Sequence, residues 1–153
     1  MKIHGELLPG VRVIKHTKYA DERGNFTETW KIQSDDMRGE YRQLNTAVSK
    51  QFVIRGMHRQ NQTKLVMPIL GRIFDVALDP ESGKWCGVEL DDTCGLFIPP
   101  QYAHGYMSLS EKSIVQYIVD MPYNKQEEEN FKWDQYNIEW PISITPLLSE
   151  KDK

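Results

Sequence analysis

Short apolar runs separated by turn residues recur along the whole chain, and helical periodicity is nearly absent. Apolar residues that alternate with polar ones, or run continuously over a short stretch, are typical of β-strands, so the pattern predicts an all-β chain. The predicted strands are VRVIKH (11–16), NFTETWKI (25–32), YRQLNTAVS (41–49), QFVIRGMH (51–58), KLVMPIL (64–70), RIFDVALD (72–79), GVEL (87–90), GLFIP (95–99), GYMSLS (105–110) and SIVQYIVD (113–120). A weak helical pattern covers SDDMRGEY (34–41), and Gly71 is predicted to form a hairpin turn between the strands that flank it.

The length of 153 residues predicts one domain, residues 1–153, with a substantial core. Many short strands at close spacing favour a sandwich or a small barrel, and the jelly-roll barrel is the version that encloses a ligand cavity. The C-terminal stretch, residues 130–153, is rich in aromatic and branched side chains. We therefore expect it to pack against the barrel instead of forming a disordered tail.

Charge and targeting signals exclude several classes of function. The formal charge is −3, from 19 Lys and Arg against 22 Asp and Glu, and no block of like charge stands out, so neither nucleic acid nor an anionic membrane is an expected partner. The N-terminus lacks the apolar run of a signal peptide, and no segment approaches the roughly 20 apolar residues of a membrane helix. We expect a soluble, cytoplasmic protein in which Cys86 and Cys94 are reduced.

Some polar residues share a strand face with residues that should be buried. Tyr117 has the parity of Val115 and Val119, so its ring is predicted to point inward, either to a backbone carbonyl or into a cavity. Gln43 and Asn45 also share a face. Two amides there could bind ligand hydroxyls, although two amides on a solvated strand are equally ordinary.

His58 lies in VIRGMHRQNQTKLV (53–66), and an isolated histidine is most often structural. Arg55 has the opposite parity, so a regular strand would place the two side chains on opposite faces. Gly56 between them could allow a bulge or a sharp bend that brings both into one cavity.

Three other charged residues have ordinary explanations when each is taken alone. Lys64 opens an apolar strand, which is typical of a surface lysine whose stem covers apolar residues. Arg23 and Glu28 could form an exposed ion pair that contributes little stability.

The pattern of histidines does not favour a metal site. A catalytic zinc needs about three protein ligands, whereas His58 and His104 each stand alone and Glu28 is tied to neither. The glycine-rich phosphate loops and the GxSxG nucleophile motif are also absent from the sequence. A metal-free cavity that holds His, Tyr, Lys and Arg suits proton transfer beside an anion.

Nine segments match one family in order and spacing: DERGNFTE (21–28), QLN (43–45), VIRGMHRQ (53–60), TKLV (63–66), GRIFDVALD (71–79), FIPPQYAHGY (97–106), YIVDMPY (117–123), IEWP (138–141) and LLSEKD (147–152). The chain resembles the dTDP-4-dehydrorhamnose 3,5-epimerase family, cupin-type jelly rolls that act on nucleotide-linked 4-keto-6-deoxy sugars. The resemblance implies an epimerase of C3, C5 or both, without a cofactor, that acts as a homodimer in deoxysugar biosynthesis.

The resemblance also implies a role for individual residues. His58 matches the general base, Asp152 its partner in a dyad, Tyr117 the general acid across the sugar, and Lys64 a residue that stabilises the enolate. The matching substrate-binding positions are Arg55, as a diphosphate contact, His104, near the reacting carbonyl, and Arg23, Glu28, Gln43, Asn45, Gln60 and Tyr123. Some of these positions could come from a second subunit.

The chain departs from the family pattern in three loops. The segment between His58 and Lys64 is shorter than usual, with Arg59 where an aromatic residue is common. ALDPESGKW (77–85) lacks the usual Ser-Pro-Thr run, and PPQYAHG (99–105) lacks the customary glycine before its aromatic residue. The nucleotide (dTDP, GDP or CDP) and the number of inverted centres therefore stay open. The alternatives are a 3,4-ketoisomerase or single-centre epimerase on the same fold, a non-catalytic sugar-nucleotide binding module, and a metal-dependent enzyme of the same fold.

Overall fold

Two antiparallel β-sheets face each other in the computed structural model, which describes residues 2–31 and 40–153. The strands are β1 (Lys2–Gly5), β2 (Arg12–Lys15), β3 (Thr17–Asp21), β4 (Gly24–Glu28), β5 (Gln43–Lys50), β6 (Ile54–Arg59), β7 (Lys64–Leu70), β8 (Ile73–Leu78), β9 (Trp85–Leu90), β10 (Cys94–Ile98), β11 (Ala103–Ser108), β12 (Lys112–Val119) and β13 (Glu129–Asn130). Two short 3₁₀ helices span Lys125–Glu127 and Glu150–Asp152. The all-β prediction is confirmed.

The strands form a first sheet of order β1-β9-β8-β11-β6-β13 and a second sheet of order β2-β10-β7-β12-β5. A separate hairpin consists of β3 and β4. Side chains from both sheets meet in the interior, where Val66 and Val115 of the second sheet belong to one cluster with Ile73 and Val88 of the first. This arrangement leaves one end of the space between the sheets for polar side chains.

The C-terminal residues cover the other face of the first sheet. Ile138 and Trp140 are buried in a second cluster together with Ile54, Phe74 and Met107 of the sheet. Burial of large apolar side chains is the main force that fixes such a segment. The predicted packing of the C-terminal stretch is confirmed, and it delivers the last 3₁₀ helix to the edge of the first sheet.

Three strands and one turn differ from the prediction. Strands β1, β3 and β13 were not predicted, because short and polar segments carry little of the alternating signal. The hairpin prediction at Gly71 is wrong, since β7 belongs to the second sheet and β8 to the first. Gly71 does lie in a turn, with φ of +78°, but the turn carries the chain from one sheet to the other. Most of the helical pattern over 34–41 lies outside the described residues.

Other expectations concern the environment of the chain. Cys86 and Cys94 are buried and not joined by a disulfide, as predicted. None of the helices in the described residues is long and apolar enough to cross a membrane. The single domain and the cytoplasmic location stay predictions.

A bulge in β6 determines which side chains enter the interior. In the pairing of β6 with β11, His58 lies opposite His104 and Arg55 lies opposite Tyr106. Between these two pairs β6 has one residue more than β11. Gly56 lies in the bulge with φ of +132°, and a Cβ there would be 2.4 Å from the Cα of Gly105. The predicted bulge is confirmed, and it brings Arg55 and His58 into the same cavity.

Replacing Gly56 by Ala should destabilise the protein by about 3 kcal/mol or more, because the new methyl group meets backbone atoms that cannot move aside. Gly83→Ala is the matched control, since Gly83 also has a positive φ, of +76°, but its nearest neighbour is 4.0 Å away. That variant should lose only about 1 kcal/mol, the energy of the backbone conformation alone. Urea unfolding measures both, and equal losses would contradict the steric argument.

Candidate active site

A cavity of about 420 Å³ lies between the two sheets and is lined by side chains from both. The first sheet contributes Arg55, His58, His104 and Tyr106, and the second contributes Asn45, Thr46, Ala47, Val48, Lys64 and Tyr117. A neighbouring cavity of about 250 Å³ shares Asn45, His58, Lys64 and Tyr117 and adds Gln43, Gln60, Gln62, Tyr123, Glu128 and Lys151. The two cavities therefore form one polar site.

His58 is held by a carboxylate from the end of the chain. Its Nε2 lies 2.6 Å from Oδ1 of Asp152, and the backbone N–H of Gly56 donates to Oδ2 at 3.3 Å. Burial, the largest influence, raises the pKa of Asp152, but the hydrogen bonds from His58, Gly56 and Ser149 and the charge of His58 together hold it below its usual value. An ionised carboxylate can only accept, so Nε2 of His58 carries a proton and a neutral ring keeps its lone pair on Nδ1.

A second carboxylate faces the other nitrogen of His58. Oε1 of Glu128 lies 3.7 Å from Nδ1, and only 8% of the Glu128 side chain is exposed. Glu128 accepts hydrogen bonds from the Tyr123 hydroxyl at 2.6 Å and from Nζ of Lys151 at 2.7 Å. Burial works to raise the pKa of Glu128 and is the largest influence, yet these two hydrogen bonds and the charges of Lys151 and His58 keep it lowered.

The opposite part of the cavity holds three buried ionisable residues, Asp75, His104 and Lys64. Asp75 is fully buried in β8, and its Oδ1 lies 2.5 Å from Nε2 of His104. Lys64 is 8% exposed, and burial lowers its pKa to about 8 although the charges of Asp75 and Glu128 act in the other direction. The surface explanation for Lys64 is therefore wrong, because its ammonium group lines the cavity.

Tyr117 approaches the cavity from the sheet opposite His58. Val115 and Val119, which share its strand face, are fully buried, so the predicted inward orientation is confirmed. Burial is the largest influence on the pKa of Tyr117 and raises it, although the charges of Arg55 and Lys151 oppose the shift. The phenol is therefore protonated near neutral pH and can donate a proton.

The predicted amides and Arg55 lie on the cavity wall with partners of their own. Nε of Arg55 donates to the Ser49 hydroxyl at 2.9 Å. Nε2 of Gln43 donates to Oδ1 of Asn45 at 2.8 Å, while Oε1 of Gln43 accepts from the backbone N–H of Tyr123 at 2.9 Å. The amides thus anchor the segment that carries Tyr123, and Gln60 does the same through the N–H of Asn124 at 3.1 Å.

Two of the predicted residues do not reach this cavity within one chain. Arg23 forms an ion pair with Asp21 at 2.5 Å and its side chain is 86% exposed. Glu28 lines a separate cavity beside His16 and Trp30. Arg23 therefore does not form the ion pair with Glu28 that was its ordinary explanation, because the tight β3–β4 turn gives it a closer carboxylate.

Sequence reasoning missed three charged residues of the site. Asp75 carried a usable signal, since a carboxylate in the middle of an apolar strand must find partners when it is buried. Glu128 was hidden in the acidic run QEEEN (126–130), which is typical of a solvated surface. Lys151 had no signal except its place beside Asp152. Among the described residues, no cluster of three or more His, Cys, Asp or Glu could hold a metal ion.

Comparison with known proteins identifies the family. The family model described as dTDP-4-dehydrorhamnose 3,5-epimerase matches residues 6–153. The chain is 36% identical over 163 aligned positions to the dTDP-4-dehydrorhamnose 3,5-epimerase of Methanothermobacter thermautotrophicus, which covers 95% of this chain and 88% of that relative. The chain belongs to the dTDP-4-dehydrorhamnose 3,5-epimerase family.

Solved structures of the family agree with this assignment. The epimerase of Legionella pneumophila, in complex with dTDP-4-keto-L-rhamnose, superposes with a TM-score of 0.89 at 30% identity, over 99% of this chain and 89% of that one. The 4-keto-6-deoxy sugar epimerase NovW of Streptomyces spheroides superposes with a TM-score of 0.85 at 27% identity, over 99% and 85% of the two chains. The family resemblance, the cupin-type jelly roll and the epimerase class are confirmed.

Burial of Lys64 predicts a specific dependence of stability on pH. Its pKa is about 8 in the folded protein against 10.5 as the ordinary value, so between these values the unfolded chain binds the extra proton. Stability must then rise with pH in this window, and below pH 8 the burial of Lys64 costs about 3 kcal/mol.

We expect the unfolding free energy of the wild type, minus that of Lys64→Met, to increase by about 2 kcal/mol from about pH 7.5 to 10. Lys112→Met is the control, since Lys112 is exposed at the start of β12 and its removal should leave the pH dependence unchanged. Urea unfolding at several pH values measures this difference. A difference between wild type and Lys64→Met that does not change with pH would contradict the lowered pKa of Lys64.

Proposed function

We propose that the protein inverts C3, C5 or both of a nucleotide-linked 4-keto-6-deoxy sugar, through an enolate, in deoxysugar biosynthesis. One observation carries the proposal: a His–Asp dyad and a protonated tyrosine face one cavity from opposite sheets. Family membership and the dTDP-4-keto-L-rhamnose complex of the Legionella relative support the substrate class.

The chemistry of the substrate explains why these groups suit the reaction. A 4-keto group acidifies the hydrogens on C3 and C5, because loss of either proton gives an enolate. Inversion then requires a base on one face of the sugar ring and an acid on the other. Positioned acid–base groups contribute about 10²- to 10⁴-fold to such a rate.

His58 suits the role of base. Its Nδ1 keeps a lone pair, since Nε2 donates to Asp152. Once the ring takes the substrate proton, the Asp152 carboxylate stabilises the imidazolium, as carboxylates do in other His–Asp pairs. Tyr117, on the facing sheet, then returns a proton to the opposite side of the carbon.

Lys64 and His104 suit the stabilisation of the enolate oxygen. With a pKa of about 8 the Lys64 ammonium group is mostly charged near neutral pH, and its burial makes that charge more effective than it would be in water. Asp75 fixes the ring of His104 from behind. Arg55 would meet the diphosphate of the nucleotide, and Gln43, Asn45, Gln60 and Tyr123 would surround the remainder of the substrate. The scheme uses no metal or other cofactor.

We also propose that the active enzyme is a homodimer whose sites are completed across the subunits. The β3–β4 hairpin exposes 61% of Tyr19 and 68% of Phe26, an unusual exposure of aromatic surface. Arg23 lies in the turn of the same hairpin, away from the cavity of its own chain. Docking of this hairpin against a second copy would cover the aromatic residues and supply Arg23 and Glu28 to the other cavity.

Solvent exchange tests the proposed reaction. With dTDP-4-keto-6-deoxyglucose in deuterated water, proton NMR should show deuterium at C3, C5 or both. The labelled positions show which centres lose a proton, and the configuration of the product gives the number of centres inverted. The same measurement with GDP- and CDP-linked sugars identifies the preferred nucleotide. If no position exchanges with any of these substrates, the proposed function is wrong. Isomerisation of the keto group would appear in the same spectra as a 3-keto product.

Replacing Tyr117 by Phe distinguishes an enzyme from a binding module. The variant should lose about 10²-fold or more in kcat, since it lacks the acid, while the affinity for the nucleotide sugar changes little. Tyr136→Phe, in the apolar cluster outside the cavity, is the control and should retain wild-type turnover. Turnover and calorimetric binding are the measurements, and unchanged turnover in Tyr117→Phe would contradict its role.

Mixing two inactive variants tests the shared site. Arg23→Ala and His58→Asn should each be nearly inactive, but a mixed dimer contains one site with both residues intact. Random re-association should therefore restore about a quarter of wild-type activity. Mixing should restore nothing if each chain supplies its own Arg23, and that result would contradict the sharing of sites.

A further inference from the structure

Arg59 makes an extensive set of contacts directly after the proposed base. Its Nε donates to Oε2 of Glu129 at 2.7 Å and its second terminal nitrogen to Oε1 at 3.0 Å, which gives a two-point ion pair. Its first terminal nitrogen donates to both oxygens of Glu81, at 2.8 and 3.0 Å. Only 17% of the Arg59 side chain is exposed. The hydrogen bond to Glu129 is the largest cause of a raised pKa of the guanidinium.

Glu129 and its neighbour Glu128 point in opposite directions. Glu129 pairs with Arg59 in the short strand β13, and 53% of its side chain is exposed. Glu128, one residue earlier, is 8% exposed and faces His58. Successive side chains of an extended chain point in opposite directions. The backbone position that lets Glu129 pair with Arg59 at the surface therefore also directs Glu128 toward His58.

The ion pair attaches this backbone to β6 next to Glu128, at the point where Glu129 and Arg59 are also paired strand residues. β13 has two residues, and the backbone hydrogen bonds between Met57 and Phe131, at 3.1 and 2.9 Å, lie after it. Before it comes the 3₁₀ helix Lys125–Glu127, which buries no residue. A two-point bond between Arg and a carboxylate fixes direction as well as distance.

The position of Glu128 matters because of what its carboxylate faces. It lies beside Nδ1 of His58, the nitrogen that would receive the substrate proton, and it holds Tyr123 and Lys151 by hydrogen bonds. A carboxylate at this place favours the charged ring that forms when the proton arrives. A loosened Glu128 would withdraw this support at the moment of proton transfer.

We propose that the Arg59–Glu129 ion pair is a positioning device that holds Glu128 against His58. The inference rests on the proposed function for its effect on turnover, but not for its effect on the His58 ring. Arg59 and Glu129 are positioning residues that act through Glu128, and they do not contact the substrate in this role.

Glu129→Gln tests the inference, with Glu81→Gln as a matched control. Both substitutions remove one carboxylate charge from the same arginine, and Glu81 is the more exposed of the two, at 68%. With dTDP-4-keto-6-deoxyglucose as substrate, Glu129→Gln should lower kcat about fivefold to tenfold with KM within about twofold, and Glu81→Gln should stay within about twofold of wild type. In a Glu128→Gln background, Glu129→Gln should lower kcat by less than about twofold more, because the carboxylate through which Glu129 acts is already absent.

A second readout needs no turnover. Nitrogen-15 NMR of the His58 ring at fixed pH should show Nδ1 shifting in the same direction in Glu129→Gln as in Glu128→Gln, and not in Glu81→Gln. If the two single variants at Glu129 and Glu81 behave alike in both readouts, or the Glu129 effect persists without Glu128, the inference is wrong. If the wild type turns over no substrate while the NMR pattern is present, the proposed function fails and the positioning inference stands.

Discussion

The hydrogen bond between His58 and Asp152 depends on the whole fold, because it joins residues 94 positions apart. Asp152 reaches the first sheet only when the C-terminal segment has packed over that sheet through Ile138 and Trp140. A parallel bridge between Val53 and Leu147 brings the chain alongside β6 just before the 3₁₀ helix that carries Asp152. The packing of the apolar C-terminal segment therefore determines which partner the His58 ring has.

Each sheet contributes different ionisable groups to the cavity. The first sheet carries His58 with its dyad partner and His104 with Asp75, whereas the second carries Lys64 and Tyr117. Groups on facing walls can approach a sugar ring from both of its faces, as inversion of a carbon requires. Burial of a lysine and a carboxylate in the same cavity lowers the stability of the folded protein. The same burial strengthens the electrostatic interaction of these groups with a bound substrate.

The sequence was most informative where a local rule decided the outcome. Parity along β12 predicted the inward Tyr117, and Gly56 predicted the bulge that joins Arg55 to His58. It failed where partners come from distant elements. No local rule shows that β7 and β8 enter different sheets, or that Glu128 in an acidic run is buried, because long-range pairing determines both. The roles of the residues came from the family resemblance and not from periodicity.

Arg59 connects two loops outside the cavity. The family resemblance marks position 59 and both of these loops as expected departures from the family pattern. Arg59 donates to the carboxylate of Glu81, in the loop after β8, and, at 3.2 Å, to the backbone carbonyl of Gln101, in the loop before β11. The charge at position 59 is thus satisfied by groups from both loops. The same arginine also holds Glu129, so position 59 contacts both these loops and the backbone next to Glu128, the carboxylate beside His58.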